Sequence, residues 1–327
     1  MLKKIGNHVL RIGISALSLA FVFYSVRGEV TEGFSHLRNI DFRFLAIAII
    51  LNFISLIPVT YRLGTILAIH RIHLSFQRRY YLWMIGLFFN LFLPSAVGGD
   101  IAKAYYLYKD SGKKMVSITS ILIDRFFGLM SVIAIGMLAF LFGRQHIDDP
   151  KIGRVLFWSA GIIFAGVLLV MSRRFSKPLQ AFILSLVPKR FHDRLHRFFQ
   201  ALELYRKRWF DFGAAFGYSL LAQAIFIILV YCLARSIHLE LPVALFFLLL
   251  PLVSLISMVP SIGGLGVREA AIVYLFRPYT SLDHAVALSL ICDLFIYGIG
   301  CACGILYAVR GGASIKELER IENMENV

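Results

Sequence analysis

Two glycine-rich motifs carry the residues of this 327-residue chain that could do chemistry. The first, Pro94–Asp100, reads PSAVGGD, and the second, Pro260–Gly266, reads PSIGGLG. Glycines permit a tight turn and close approach of a ligand, and a helix that starts after such a turn presents free amides and the positive end of its dipole. This combination suits an anion, typically a phosphate. Lys103 and Arg268, which lie close to the motifs, would add cationic donors.

Each motif is also followed by a carboxylate in an aromatic-rich segment. Asp124 follows Asp100 at the same spacing at which Asp293 follows Glu269. Ionisable residues inside a membrane are costly to bury and are commonly functional, which favours a functional role for these carboxylates. The alternative is that Asp124 with its neighbour Arg125, and Asp293, form structural ion pairs, and that the glycines only allow close helix packing.

Asn90, just before the first motif, fits a functional role and a hydrogen bond between helices equally well. The candidate binding and translocation residues are Asn90, Pro94, Gly98, Gly99, Asp100, Lys103, Asp124, Arg125, Pro260, Gly263, Gly264, Gly266, Arg268, Glu269 and Asp293. The pair His192 and His196, like the pair His70 and His73, fits a solvated face better than a metal site. We predict no catalytic residue, no metal site and no cofactor.

The elements that must position these residues are membrane helices. Hydrophobic residues make up 59% of the chain and charged residues 16%, against roughly 25% charged residues in soluble domains. Two apolar segments, near 80–97 and 241–260, end at the glycine-rich motifs, and a shorter helical stretch follows each. Spanning helices are predicted near residues 9–27, 43–61, 116–142, 154–172, 211–235 and 284–309. The sequence therefore predicts an all-α integral membrane fold with about six spanning helices and two re-entrant or broken helical hairpins.

The distribution of Lys and Arg predicts how the chain is oriented, because these residues are enriched in cytoplasmic loops. The long polar linker 173–208 is strongly basic and is assigned to the cytoplasm, and basic loops on both sides of 80–97 make the first hairpin enter from the same side. The loops that carry Glu29, Asp148 and Glu240 are poor in positive charge and are assigned to the outside. The second hairpin would then enter from outside, as in the inverted repeats of transporters.

This topology gives one polytopic membrane domain over residues 1–327, with both termini in the cytoplasm. The halves cover about 1–142 and 209–310, joined by the basic linker, and a cytoplasmic tail follows at 311–327. Hairpins that enter from opposite faces would bring the break near Gly98–Gly99 and the break near Gly263–Gly264 together at mid-membrane. We predict that they form two walls of one polar cavity.

Several classes of protein are excluded. The chain contains no Gly-x-x-x-x-Gly-Lys loop, no Gly-x-Gly-x-x-Gly fingerprint, no His-Glu-x-x-His and no Gly-x-Ser-x-Gly elbow, so nothing supports an ATP-driven pump or a familiar hydrolase. The net charge of +15 comes from Lys and Arg in short segments between apolar runs, which indicates anionic lipid as a partner rather than nucleic acid. The four cysteines lack the paired spacing of a zinc site.

Around both motifs the sequence resembles the transmembrane, flippase-like region of lysylphosphatidylglycerol synthases, a family that includes stand-alone bacterial and archaeal membrane proteins. The resemblance is carried by Asn90–Pro94, by Gly98–Asp100 with Asp124 and Arg125, and by Pro260–Glu269. It implies a membrane fold of about six to eight helices and translocation of a lipid between leaflets. Fused relatives carry a soluble aminoacyl-transferring domain after the membrane region. This sequence ends at Val327, so we expect that it does not aminoacylate lipids.

The leading hypothesis is a lipid flippase or transporter in a bacterial or archaeal cell (inner) membrane, not driven by ATP, that moves a phospholipid or polyprenyl-phosphate-linked lipid. One alternative is a non-catalytic scaffold subunit for a glycosyltransferase or another lipid-modifying enzyme. Another is an intramembrane enzyme with Asp124 and Glu269 as acid and base. The expected partners are membrane lipids, mainly anionic, with such an enzyme and a second copy in a homodimer as further candidates.

Overall fold

The computed structural model describes residues 36–92, 98–143, 208–258 and 266–309, together with Gly161, Ser185 and His192. The predictions for the spans near 9–27 and 154–172, most of the basic linker and the tail 311–327 fall outside the described residues. So do the predicted site residues Pro94, Pro260, Gly263 and Gly264.

Every regular element in the described ranges is helical, which confirms the all-α prediction. Eight α-helices are described: α1 (Phe42–Ile69), α2 (Phe76–Phe92), α3 (Gly98–Ser111), α4 (Lys114–Gly143), α5 (Trp209–Ser236), α6 (Val243–Ile256), α7 (Val267–Phe276) and α8 (Leu282–Val309). Short 3-10 turns precede α1 at Leu37–Asn39 and follow α7 at Arg277–Tyr279.

Four of these helices, α1, α4, α5 and α8, are long and apolar enough to cross a membrane. Each has a candidate span of 28 residues, which corresponds to about 42 Å of helix, whereas the hydrocarbon core of a bilayer measures about 30 Å. The four spans predicted within the described ranges are therefore present as helices that could cross a membrane. Helix α1 continues past its predicted end at residue 61. The next residue, Arg62, is charged but can lie inside the helix bundle because it is buried and paired with a carboxylate.

The first break divides an antiparallel hairpin made of α2 and α3. Near the turn, the Gly99 amide donates a hydrogen bond to Asn90 Oδ1 at 2.8 Å. At the open end, Arg78 donates two hydrogen bonds to Asp110, at 2.7 and 2.9 Å. This open end lies where α1 ends and α4 begins, since only residues 70–75 and 112–113 separate them from the hairpin.

The second break divides the hairpin made of α6 and α7, which enters from the opposite end of the bundle. Its open end follows α5 and precedes α8, and there the rings of Phe246 and Phe276 lie 5.3 Å apart. The end of α5 meets the start of α1, because the Asp41 amide donates to the Ser236 carbonyl at 2.9 Å. The described helices thus show two oppositely directed hairpins, while their depth in a bilayer stays a prediction.

Candidate functional site

A cavity of about 410 Å³, lined by both polar and apolar side chains, lies between α1, α2, α4, α5 and α8. It sits halfway along the long helices. The midpoints of α1, α5 and α8 fall at residues that all line it, namely Ser55 and Leu56, Ala222 and Gln223, and Phe295 and Ile296. If these helices cross a bilayer symmetrically, the cavity lies near its centre, and we call it the central cavity.

Three nitrogen atoms on residues that line the central cavity have no hydrogen-bond partner in the part of the chain that the structure describes. They are Asn52 Nδ2 on α1, Trp83 Nε1 on α2 and Gln223 Nε2 on α5. All three are donors only, and a buried donor without a partner costs about 1–3 kcal/mol. In contrast, the hydroxyl of Ser131 in the same lining bonds to a carbonyl of its own helix. The free groups of this cavity are therefore suited to a ligand rich in acceptor oxygens.

The Trp83 ring also lies between two cations. The ammonium nitrogen of Lys103 is 3.7 Å from the ring centroid, and the guanidinium carbon of Arg62 is 5.7 Å from it. Cations over an indole face are attracted by its quadrupole, more strongly where water is excluded. These contacts orient the indole of Trp83 in the lining of the central cavity.

Arg62 belongs to a buried ion pair that joins three helices. Its Nε and Nη2 donate to the two oxygens of Asp124 on α4 at 2.6 and 2.8 Å, and its Nη1 donates to Ser219 Oγ on α5 at 3.0 Å. Arg62 is 4% exposed and Asp124 is 1% exposed. The carboxylate of Asp124 therefore pairs with a residue 62 positions earlier in the chain and is enclosed by protein.

At the first break, the start of α3 is satisfied from within the protein. Asn90 Oδ1 caps the Gly99 amide, and Asp100 binds both Lys103, at 2.5 Å, and Arg125. We expected the amides of this helix start and Lys103 to face an anion. The structure instead gives the Gly99 amide and Lys103 internal partners. This charged group, with two cations and one carboxylate, carries a net positive charge.

At the second break, Gly266 precedes α7 with a φ of +82°, a backbone conformation that favours glycine. Arg268 Nη2 then donates to Asp293 on α8 at 2.6 Å and lies 3.6 Å from Glu269 Oε1. Among the described residues, no donor forms a hydrogen bond to either carboxylate oxygen of Glu269, and the residue is 5% exposed. This group contains one cation and two carboxylates, so it carries one negative charge in excess when both acids are ionised.

Arg268 also lines a second, mainly apolar cavity of about 120 Å³ between α5, α6, α7 and α8. The two cavities adjoin, because Phe226, Phe295 and Ile296 line both of them. Asn90 of the first hairpin and Arg268 of the second therefore line two neighbouring cavities close to the middle of α8. The predicted meeting of Gly98–Gly99 with Gly263–Gly264 stays a prediction, since the second pair lies outside the described ranges.

The first hairpin is seated on two glycines of α8. A methyl group added to Gly300 would collide with the side chain of Leu91, and one added to Gly304 would collide with the Phe88 ring. Small residues four apart let helices approach closely in membranes. The spacing Gly-x-x-x-Gly therefore fixes the position of α2, and with it the position of Trp83.

Substitution of Gly304 by Leu should displace α2 and lower thermal stability in detergent, because overpacking of a tight contact costs about 1–3 kcal/mol. Gly298→Leu is the matched control, since a methyl group at Gly298 on the same helix meets nothing within 4 Å. Phe88→Ala combined with Gly304→Leu should recover part of the loss. Equal melting temperatures for Gly304→Leu and Gly298→Leu would show that this contact does not hold the hairpin.

Sequence reasoning found both charged groups but missed the central cavity. Among the predicted residues only Asn90 lines it, whereas Asn52, Arg62, Trp83 and Gln223 were not singled out. A usable signal was present, because Asn52 and Gln223 are uncharged polar residues near the middle of predicted apolar spans. The acid–base alternative would need Asp124 and Glu269 to act on one substrate. Asp124 pairs with Arg62, whereas Glu269 lies beside Arg268 in the second charged group.

A family model described as lysylphosphatidylglycerol synthase TM region matches residues 8–304 of the chain. The match includes both glycine-rich motifs and all of the described helices from α1 to α7. No curated protein matches the chain.

Proposed function

Because the chain belongs to the lysylphosphatidylglycerol synthase transmembrane-region family, we propose that this multi-pass membrane protein moves a lipid with a phosphate-bearing headgroup between leaflets, without ATP and without chemical change of the lipid. The cell membrane of a bacterium or archaeon, with both termini in the cytoplasm, is part of the same proposal. The cargo would be a phospholipid or a polyprenyl-phosphate-linked lipid.

The observation that carries this proposal is the set of free donors in the central cavity. Asn52, Trp83 and Gln223 line the cavity from three different helices, and one buried side-chain nitrogen of each lacks a hydrogen-bond partner among the described residues. Phosphate oxygens accept several hydrogen bonds at once, so one headgroup could satisfy all three donors. A polar group in mid-membrane is costly unless it is satisfied, which favours a cavity of this kind as a stopping point for a headgroup.

The two hairpins supply a reason why such a headgroup could leave on either side. They enter from opposite ends, and Asn90 of the first and Arg268 of the second line the adjoining cavities, so movement of one hairpin at a time would open one end while the other stays closed. The charged groups at the tips differ in sign, with a surplus of one cation at the first and of one carboxylate at the second. An anionic headgroup would therefore bind more strongly near the first tip.

A surface groove offers a place for the chains of the lipid. It has a volume of about 770 Å³ and lies between α1, α2 and α8, with Ile50, Phe53, Ile57, Tyr80 and Leu306 among its lining residues. Helix α1 separates this groove from the central cavity, since Asn52 and Ser55 face the cavity. The acyl or prenyl chains would lie in the groove or in lipid, while the headgroup passes between α1 and α2.

Removal of a donor should slow lipid movement without loss of stability. In proteoliposomes with fluorescent phosphatidylglycerol, we expect Asn52→Leu, Gln223→Leu and Trp83→Phe each to lower the rate of transfer about fivefold to tenfold, because a hydrogen bond to a charged group contributes about 1.5–3 kcal/mol and part of it is replaced by water. The melting temperature should stay equal or rise, since each variant removes an unsatisfied buried donor. Accessibility of the fluorophore to dithionite measures the rate.

Asn39→Leu is the control, because Asn39 also carries a side-chain amide but is exposed and lines neither the central cavity nor the surface groove. A fluorescent glucosyl diacylglycerol, which lacks phosphate, tests the cargo class and should move more slowly than phosphatidylglycerol. Wild-type rates in all three donor variants would exclude the central cavity as the headgroup site. No transfer of either lipid by the wild-type protein would instead favour the scaffold hypothesis.

A further inference from the structure

A cluster of two histidines and one aspartate lies at the end of the bundle where α1 and α8 begin. His36 Nε2 is 2.8 Å from Asp283 Oδ2, and His284 Nδ1 is 3.4 Å from the same oxygen. The two imidazole rings are 4.0 Å apart between centroids. One potential ligand atom from each of the three residues lies within 4.8 Å of the others.

The chemistry of these groups is that of a site for a divalent transition metal. Two imidazoles and one carboxylate are common ligands of Zn²⁺, and three protein ligands with an open position occur in many zinc sites. Bonds of about 2.0–2.2 Å place neighbouring ligand atoms about 3.3 Å apart in a tetrahedron. The observed spacings of 2.8 and 3.4 Å lie within about 0.5 Å of that value. A small movement of side chains would therefore complete the coordination.

The three side chains are accessible and come from two distant parts of the chain. Their exposed fractions are 26% for His36, 21% for Asp283 and 27% for His284, so an ion could enter from solvent. His36 and Asp283 are separated by 247 positions. The hydroxyl of Ser281 lies 2.8 Å from His284 Nδ1 and orients the ring, and it would turn away when an ion binds.

We propose that His36, Asp283 and His284 form a binding site for one divalent transition-metal ion of the Zn²⁺ type, which joins the segment before α1 to the start of α8. The ion would hold α8 at the end from which the second hairpin enters. Asp293, the partner of Arg268, lies about 15 Å further along the same helix, at about 1.5 Å per residue. This site is independent of the proposed lipid transport.

The test uses the full chain in detergent, purified through a tag that contains no histidine, in a His192→Ala/His196→Ala background that removes the histidine pair of the basic linker. Titration with Zn²⁺ alone in a calorimeter should show one ion per chain and should raise the melting temperature, because a ligand of the folded state stabilises it. Co²⁺ alone should give the visible absorption of a nitrogen- and oxygen-ligated ion of low coordination number.

His36→Gln, Asp283→Asn and His284→Ala should each weaken Zn²⁺ binding at least tenfold. His36→Gln can still donate a hydrogen bond to Asp283, so it removes the nitrogen ligand while it keeps the contact between the two segments. The matched control is His238→Ala, because His238 lies at the same end and bonds to the Asn39 carbonyl at 3.0 Å. Unchanged binding in His36→Gln and His284→Ala, or an equal loss in His238→Ala, would overturn the site, as would the absence of stoichiometric binding by the wild-type chain.

Discussion

Substitution of Asp124 by Asn should destabilise the protein severely, by about 3–5 kcal/mol, because it leaves the buried Arg62 guanidinium without its counter-charge. Both oxygens of Asp124 accept hydrogen bonds from Arg62, at 2.6 and 2.8 Å, and both residues are almost fully buried. The measurement is thermal unfolding of the purified protein in detergent, together with the amount of protein in the membrane fraction. We expect a large drop in melting temperature and a low yield.

Asp110→Asn is the matched control, since Asp110 accepts an equally well-formed pair of hydrogen bonds from Arg78 at 2.7 and 2.9 Å. That pair is partly exposed at the open end of the first hairpin. Exposed ion pairs contribute about 0–1 kcal/mol, so this variant should unfold close to the wild-type temperature. The comparison separates the effect of burial from the effect of hydrogen-bond geometry.

A double variant tests the cause more directly. Arg62→Met combined with Asp124→Leu replaces the ion pair by apolar side chains, and replacement of a buried pair as a whole is often neutral or stabilising. We therefore expect stability to recover in the double variant but not in Asp124→Asn. If Asp124→Asn unfolds at the wild-type temperature and fails only in lipid transfer, Asp124 has the functional role that its position in a span first suggested.

The pair between Arg62 and Asp124 also shows where sequence reasoning reaches its limit. Apolar runs of sufficient length predict α4, α5 and α8 to within about two residues, although α1 ends eight residues after its predicted end. The glycine-rich motifs lie between the helices of each hairpin. These properties are local. The choice of charge partners is not local. Asp124 was considered with its neighbour Arg125, but successive residues on a helix point in different directions, and Arg125 instead binds Asp100.

The central cavity escaped prediction for a related reason. Asn52 and Gln223 stand out in the sequence only as polar residues within apolar spans, and their grouping with Trp83 arises because three helices bring them to one cavity. His36 is a similar case, since its contact with Asp283 depends on the relative positions of α1 and α8. Polar residues near the middle of a span can be recognised from sequence as candidates, but their convergence depends on helix packing.

Glu269→Gln should slow transfer of an anionic lipid about tenfold while the protein stays folded. Arg268 is shared by Asp293, at 2.6 Å, and Glu269, at 3.6 Å, so this buried group carries one negative charge in excess when both acids are ionised. Among the described residues, neither oxygen of Glu269 has a hydrogen-bond partner, so the neutral amide removes no hydrogen bond found in the structure. The melting temperature should therefore stay equal or rise, unlike that of Asp124→Asn.

The reason for slower transfer is that a transported ion must bind weakly enough to leave. With Glu269 ionised, the second hairpin tip repels an anionic headgroup that has left the first. Two unit charges about 6 Å apart interact with about 3 kcal/mol at an effective dielectric constant of 20. Loss of part of this repulsion would let Arg268 retain the headgroup.

In the fluorescent phosphatidylglycerol assay, the exposed control Glu240→Gln should transfer at the wild-type rate, because Glu240 is 77% exposed and contacts only Arg235 among the described charges. Wild-type transfer by Glu269→Gln would remove the second charged group from the transport path, whereas loss of the folded protein would make Glu269 a structural residue.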